Sequence, residues 1–155
     1  MEPVWLSRTI VDAIHEDQRQ HHGGNAGVLN EGGIESALAR ARNRYEYTAA
    51  DVFECAACYI FGIAKNHGYQ DANKRTAYMC GWTFLRINGL LVVATPQDVL
   101  QLMLDVATDV SDETAIAEWL RARASKVRRQ ARVETRLEPW PVRSAARRPQ
   151  RQTVF

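Results

Sequence analysis

Nine consecutive residues, His67-Gly68-Tyr69-Gln70-Asp71-Ala72-Asn73-Lys74-Arg75, bring together a titratable base, a carboxylate, an amide and two cations. They join the two most apolar stretches of the chain, 52–66 and 74–88, so the connection is expected to open at the surface against the core. Its end is the informative part. Asn73 reads as an N-cap for the following helix, whose first turn then holds Lys74 and Arg75. A helix N-terminus carries partial positive charge, and each cation placed there costs roughly 0.3–1 kcal/mol if nothing compensates. A phosphate reverses that sign, because amides, ammonium and guanidinium converge on one anion. The segment reads as a phosphate cradle. Asp71 beside a polyphosphate is a natural ligand for Mg2+, which binds through one or two carboxylates plus phosphate oxygens. His67 can take a proton from an incoming hydroxyl, and Tyr69 is expected to point into the core. The chemistry is group transfer from a nucleotide to an alcohol, by positioning and electrostatics.

The same residues resemble the signature of the Fic/Doc superfamily: a His, an aromatic two positions on, an acid two further, then Asn, a variable position and Arg. Within it, Asp71-Ala72-Asn73-Lys74-Arg75 is similar to the Doc branch, the death-on-curing toxins of toxin–antitoxin modules. Supporting similarity lies in Gly27-Val28-Leu29, Glu35-Ser36-Ala37-Leu38, Phe53-Glu54 and residues 84–89, and covers about residues 5–120. The resemblance implies a compact helical fold and ATP with Mg2+ as cofactors. It makes His67 and Asp71 catalytic, Asp71 the metal ligand, and Asn73, Lys74 and Arg75 the nucleotide-binding residues. AMP-transferring members typically have Gly where Lys74 stands and a second Arg where Tyr78 stands. Lysine fills space that glycine leaves open to the rest of the phosphates, so a reversed nucleotide would present its γ-phosphate. The implied activity is a Doc-like protein kinase acting on a Ser/Thr hydroxyl of elongation factor Tu and arresting translation.

Three positions depart from the pattern. Gly68 replaces the usual Pro, Tyr69 the commoner Phe, and Gln70 is not diagnostic. A Ser/Thr-x-x-x-Glu-Gly/Asn inhibitory motif is also missing, since Thr114 to Glu118 is followed by Trp119. Restraint is therefore expected from a separate antitoxin of the Phd-like type, with operator DNA contacted through the antitoxin or a basic tail. Two rivals stand beside the kinase: a protein adenylyltransferase, and a non-catalytic, DNA-associated co-regulator.

The elements that must hold these residues read as helices. Ser7 caps a first helix to about residue 22, with Ile10, Val11 and Ile14 on one face. A short helix follows over 34–42. Asp51 opens a helix over 52–66 that is apolar nearly all round and therefore surrounded by protein. The helix over 74–88 is similar. Residues 90–94 are a short strand or an extended connector, Pro96 begins a helix over 97–110, and a last helix starts at Ser111 and carries Ile116, Trp119 and Leu120. The fold class is all-α, about six helices in a domain spanning 1–123, with a basic Arg- and Pro-containing tail over 124–155 that is expected to be extended or partly disordered.

Charge divides the same way. Residues 1–120 hold nine Lys or Arg against sixteen Asp or Glu, net −7, whereas 121–155 hold eleven against two, net +9. The tail reads as a solvated extension, with nucleic-acid binding or folding back on the acidic body as alternatives. Cys55, Cys58 and Cys80 lie in apolar runs, and the Cys55/Cys58 spacing sits mid-helix, so all three are expected to be core residues in a reducing compartment. His15-Glu16 begins like a metalloprotease motif, but position 19 is Arg and the motif fails. The N-terminus lacks a signal-peptide layout and the longest apolar run, 55–64, is too short to span a bilayer. The expected location is the cytoplasm.

Overall fold

In the computed structural model, which describes residues 1–127, Asp51 starts the helix around which the others are arranged. Helix α3, Val52–Asn66, begins with a full capping box. The Asp51 carboxylate accepts from the amides of Phe53 and Glu54, and the Glu54 side chain accepts from the amide of Asp51. Nine of its residues are buried, and it packs against α2 (Glu31–Thr48), α4 (Asn73–Ile87) and α6 (Glu113–Arg123). Helix α4 buries another nine and also meets α1 (Arg8–His22). The expectation that both helices are enclosed holds. The described residues hold six helices, with α5 at Pro96–Ala107, and the all-α reading stands.

Local chemistry explains most boundaries. Ser7 Oγ accepts from the amide of Ile10 and starts α1. Helix α2 is longer than the expected 34–42, because Asn30 caps it through the amide of Gly33, upstream of two glycines that disguise the first turn. It ends only at Ala49, in the left-handed region, after Tyr45 has packed its ring edge-on against Trp5, 5.5 Å between centroids. Helix α5 stops before residue 110, where Val110 and Ser111 both donate to the carbonyl of Asp105. Asp112, not Ser111, caps α6.

A two-stranded antiparallel sheet closes one edge. Strand β1, Leu90–Val92, pairs with β2, Ala124–Lys126. The first residues assigned above to the tail are thus extended and paired, and from residue 128 onward the tail lies outside the described residues. The three cysteines are buried; burial pushes the Cys55 thiol up to about 11 and Cys58 up to about 12. No helix among the described residues is long and apolar enough to cross a membrane.

Candidate functional site

The nine-residue segment runs from the C-cap of α3 into the first turn of α4, and it lines a cleft of about 390 Å³. His67, Gln70, Asp71, Asn73, Lys74 and Arg75 all face this cleft, and α5 supplies the opposite, apolar wall through Leu100, Met103 and Leu104. His67 is the C-cap of α3, exposed, with its backbone in the left-handed region at φ 46°. That conformation turns the chain sharply at the point where the buried helix ends.

One expectation is corrected. Asn73 does not cap α4; it is the helix's first residue, and the capping position is Ala72, left-handed at φ 63° and without a side-chain cap. The Asn73 amide is engaged elsewhere. Its Oδ1 accepts from the amide of Tyr69 at 3.0 Å and its Nδ2 donates to the carbonyl of Tyr69 at 2.9 Å. This pair of bonds cinches the loop into a ring. The other five helices all have a side-chain cap, so α4 alone among the described helices starts with uncapped amides. Its first turn holds no acid.

The two cations of that turn are placed differently. Lys74 is exposed at the cleft and has no hydrogen-bond or ion-pair partner among the described residues. The half-buried Arg75 reaches back to the end of α1, where its Nη1 donates to the carbonyl of Gln18 at 3.2 Å and its Nη2 to that of Gly23 at 2.8 Å. The C-terminus of α1 carries partial negative charge. Part of the compensation that Arg75 needs thus comes from the fold itself.

Asp71 is exposed, and its carboxyl is held below the usual carboxylate range by the amides of Ala72 and Asn25 and by the nearby Arg75 guanidinium. It is ionised at any pH near neutrality. Oδ1 accepts from Ala72 at 2.7 Å and Oδ2 from Asn25 at 3.3 Å. Gly24, at φ 122°, passes so close that a Cβ there would lie 3.1 Å from Asp71 Oδ2 and 3.4 Å from Arg75 Nη2. Besides ending α1, the Gly23-Gly24 pair lets the following loop lie against the carboxylate. That loop is laced to the segment by the bonds of Gln70 to Gly27 and of Leu29 and Asn30 to Gly68.

Tyr69 points inward as expected and is 2 % exposed. Its hydroxyl donates to Asp12 Oδ1 at 2.5 Å, and Asp12 also receives Arg8 Nε at 2.9 Å. Burial pushes the Asp12 carboxyl up, but those two donors outweigh it and hold the group below its ordinary value of 3.8. A depressed carboxylate contributes stability above its unfolded pKa and loses it as pH falls through the folded value. Tyr69→Phe is therefore expected to lower the melting temperature most at neutral pH. The gap from the wild type should shrink as pH falls below 3.8, which thermal unfolding at a series of pH values checks.

Gly68 also has a structural reason. A Cβ at this position would lie 2.3 Å from Ile34 Cγ1, so the α2 side chain occupies the space that a proline ring would need.

Comparison with known proteins shows the family. The model of the Fic/DOC family matches residues 5–85. The chain is 34% identical over 110 residues to "Protein kinase doc" of Escherichia phage P1, a span covering 70% of this chain and 86% of that protein. It is 35% identical over 102 residues to "Toxin Doc" of Mycolicibacterium smegmatis, covering 63% of this chain and 78% of that one. The chain belongs to the Fic/DOC family.

Proposed function

We propose that the protein is a Doc-like toxin that transfers the γ-phosphate of ATP to a Ser/Thr hydroxyl of a protein target. The observation that carries this reading is the start of α4. Uncapped amides, a Lys74 without a partner among the described residues and an ionised Asp71 face the same cleft as the exposed His67. Such a helix end favours a polyanion. Lys74 and the backbone amides of Asn73, Lys74 and Arg75 would hold phosphate oxygens, with the Asn73 side chain left to shape the loop. In the reaction the target's hydroxyl oxygen bonds to the γ-phosphorus and the bond to the β–γ bridging oxygen breaks. ADP leaves, and His67 accepts the hydroxyl proton.

Mg2+ fits one residue here. Among the described residues no three His, Cys, Asp or Glu side chains converge as a metal site. Mg2+ is bound through one or two carboxylates plus phosphate oxygens, and here Asp71 would be the carboxylate. When bound it would neutralise charge on the transferring group.

Phosphoryl rather than adenylyl transfer is favoured by Lys74 and by Tyr78. Tyr78 is fully buried, edge-on to Trp119, and offers the cleft no second guanidinium. Both relatives carry Doc in their names, and one is named a kinase. Elongation factor Tu is the proposed target, a Phd-like antitoxin the proposed partner and the cytoplasm the proposed location. Operator DNA would be met through the antitoxin or the basic tail. ATP labelled at the γ or the α position, incubated with cell extract, tests the assignment. Label from the γ position is expected on a protein band, and label from the α position would make the enzyme an adenylyltransferase.

A further inference from the structure

We propose that His15, on α1 and outside the signature, is the positioning residue that sets the direction of the Asp71 carboxylate. The proposal rests on Asp71 being the metal-binding carboxylate. His15 is a 5 % exposed imidazole that the transfer chemistry does not use. Its Nε2 lies 3.0 Å from the carbonyl oxygen of Asp71. A carbonyl only accepts, so Nε2 carries the proton and donates.

The peptide unit that follows Asp71 is rigid and planar. His15 holds its oxygen end, and its other end, the amide of Ala72, donates to Asp71 Oδ1 at 2.7 Å. One plane is thus fixed by α1 and in turn fixes the carboxylate. If the plane rotates, the carboxylate turns with it. The plane precedes Ala72, whose left-handed backbone is otherwise uncapped.

His15 is itself immobilised. Its ring lies face to face on Tyr69, 3.8 Å between centroids and 7° from parallel. Tyr69 is tethered through its hydroxyl to Asp12, and Asp12 to Arg8. Arg8 ends the chain at Glu31 and Glu35 on α2. Helices α1 and α2 therefore brace the stack from which the imidazole reaches the loop. Groups that orient a metal ligand affect metal affinity about 10–100-fold when removed.

Two variants separate the ring from its proton. His15→Phe keeps the stack on Tyr69 and removes the donor; His15→Gln keeps an N–H at a similar reach and removes the ring. Mn2+ is the probe, titrated in the presence of a non-hydrolysable ATP analogue and followed by electron paramagnetic resonance, with thermal unfolding measured alongside. His15→Phe is expected to bind Mn2+ at least about 10-fold more weakly, whereas His15→Gln stays close to the wild type. Should the phenylalanine variant not fold, His15→Met makes the same comparison. Equal Mn2+ binding by the wild type and the donor-free variant would overturn the positioning role alone. So would a glutamine variant, folded, that binds as weakly as the phenylalanine one. A wild-type protein that does not bind Mn2+ with the nucleotide analogue would overturn both this role and the transferase reading.

Discussion

Replacing His67 with alanine is expected to lower the rate of phosphoryl transfer by about 10²–10⁴-fold, the usual contribution of a positioned general base. The fall should appear in kcat, with the KM for ATP little changed, because in the proposed reading α4 and not the imidazole would hold the nucleotide. His67 is exposed at the end of α3 and no described hydrogen bond holds its ring, so the melting temperature should move little. Its left-handed backbone makes a control necessary. Asparagine tolerates that region better than alanine does, and His67→Asn is expected to lose activity to the same degree while leaving the turn unstrained. Initial rates at saturating labelled ATP, with a purified target, provide the measurement. Transfer within a few-fold of the wild type in both variants would remove His67 from the role of base.

Gly68→Ala is expected to destabilise the protein by about 1–3 kcal/mol, the range for forcing extra volume into a packed interior. The new Cβ would meet Ile34 Cγ1 at 2.3 Å, and Ile34 is 2 % exposed, with little room to withdraw. Ile34→Ala alone leaves a cavity and should cost about 2–5 kcal/mol. Combined, the two changes should be less harmful than their sum, because the alanine methyl at 68 enters space that the isoleucine has vacated. Denaturant unfolding of the four proteins in the cycle measures the coupling. Additivity would mean that the two positions do not share that space. The result bears on function as well, since the carbonyl of Gly68 accepts from Leu29 and Asn30 and so ties the 24–30 loop to the site. A shift at Gly68 would move that loop relative to Asp71.

The local half of this protein was legible in its residues. Asp51 and Ser7 start helices where an N-cap predicts them, because capping is a contact within one turn and needs no partner elsewhere. The enclosure of α3 and α4 followed from apolar residues on every face. The signature was readable because it is contiguous, and its cations stood out against the ordinary preference of a helix N-terminus.

Tertiary structure decided what depends on residues far apart in sequence. Asn73 looks like a cap by type, yet folding commits its amide to Tyr69 and leaves the helix end bare. Arg75 appeared to need an anion, yet α1 offers it two carbonyls from 52 and 57 residues away. His15 looked like half of a failed motif, and only the docking of α1 on α4 brings it to the carbonyl of Asp71, 56 residues on. Periodicity and capping act over a few residues along the chain. The direction of one carboxylate depends on which helix lies behind the loop, and that was settled by packing.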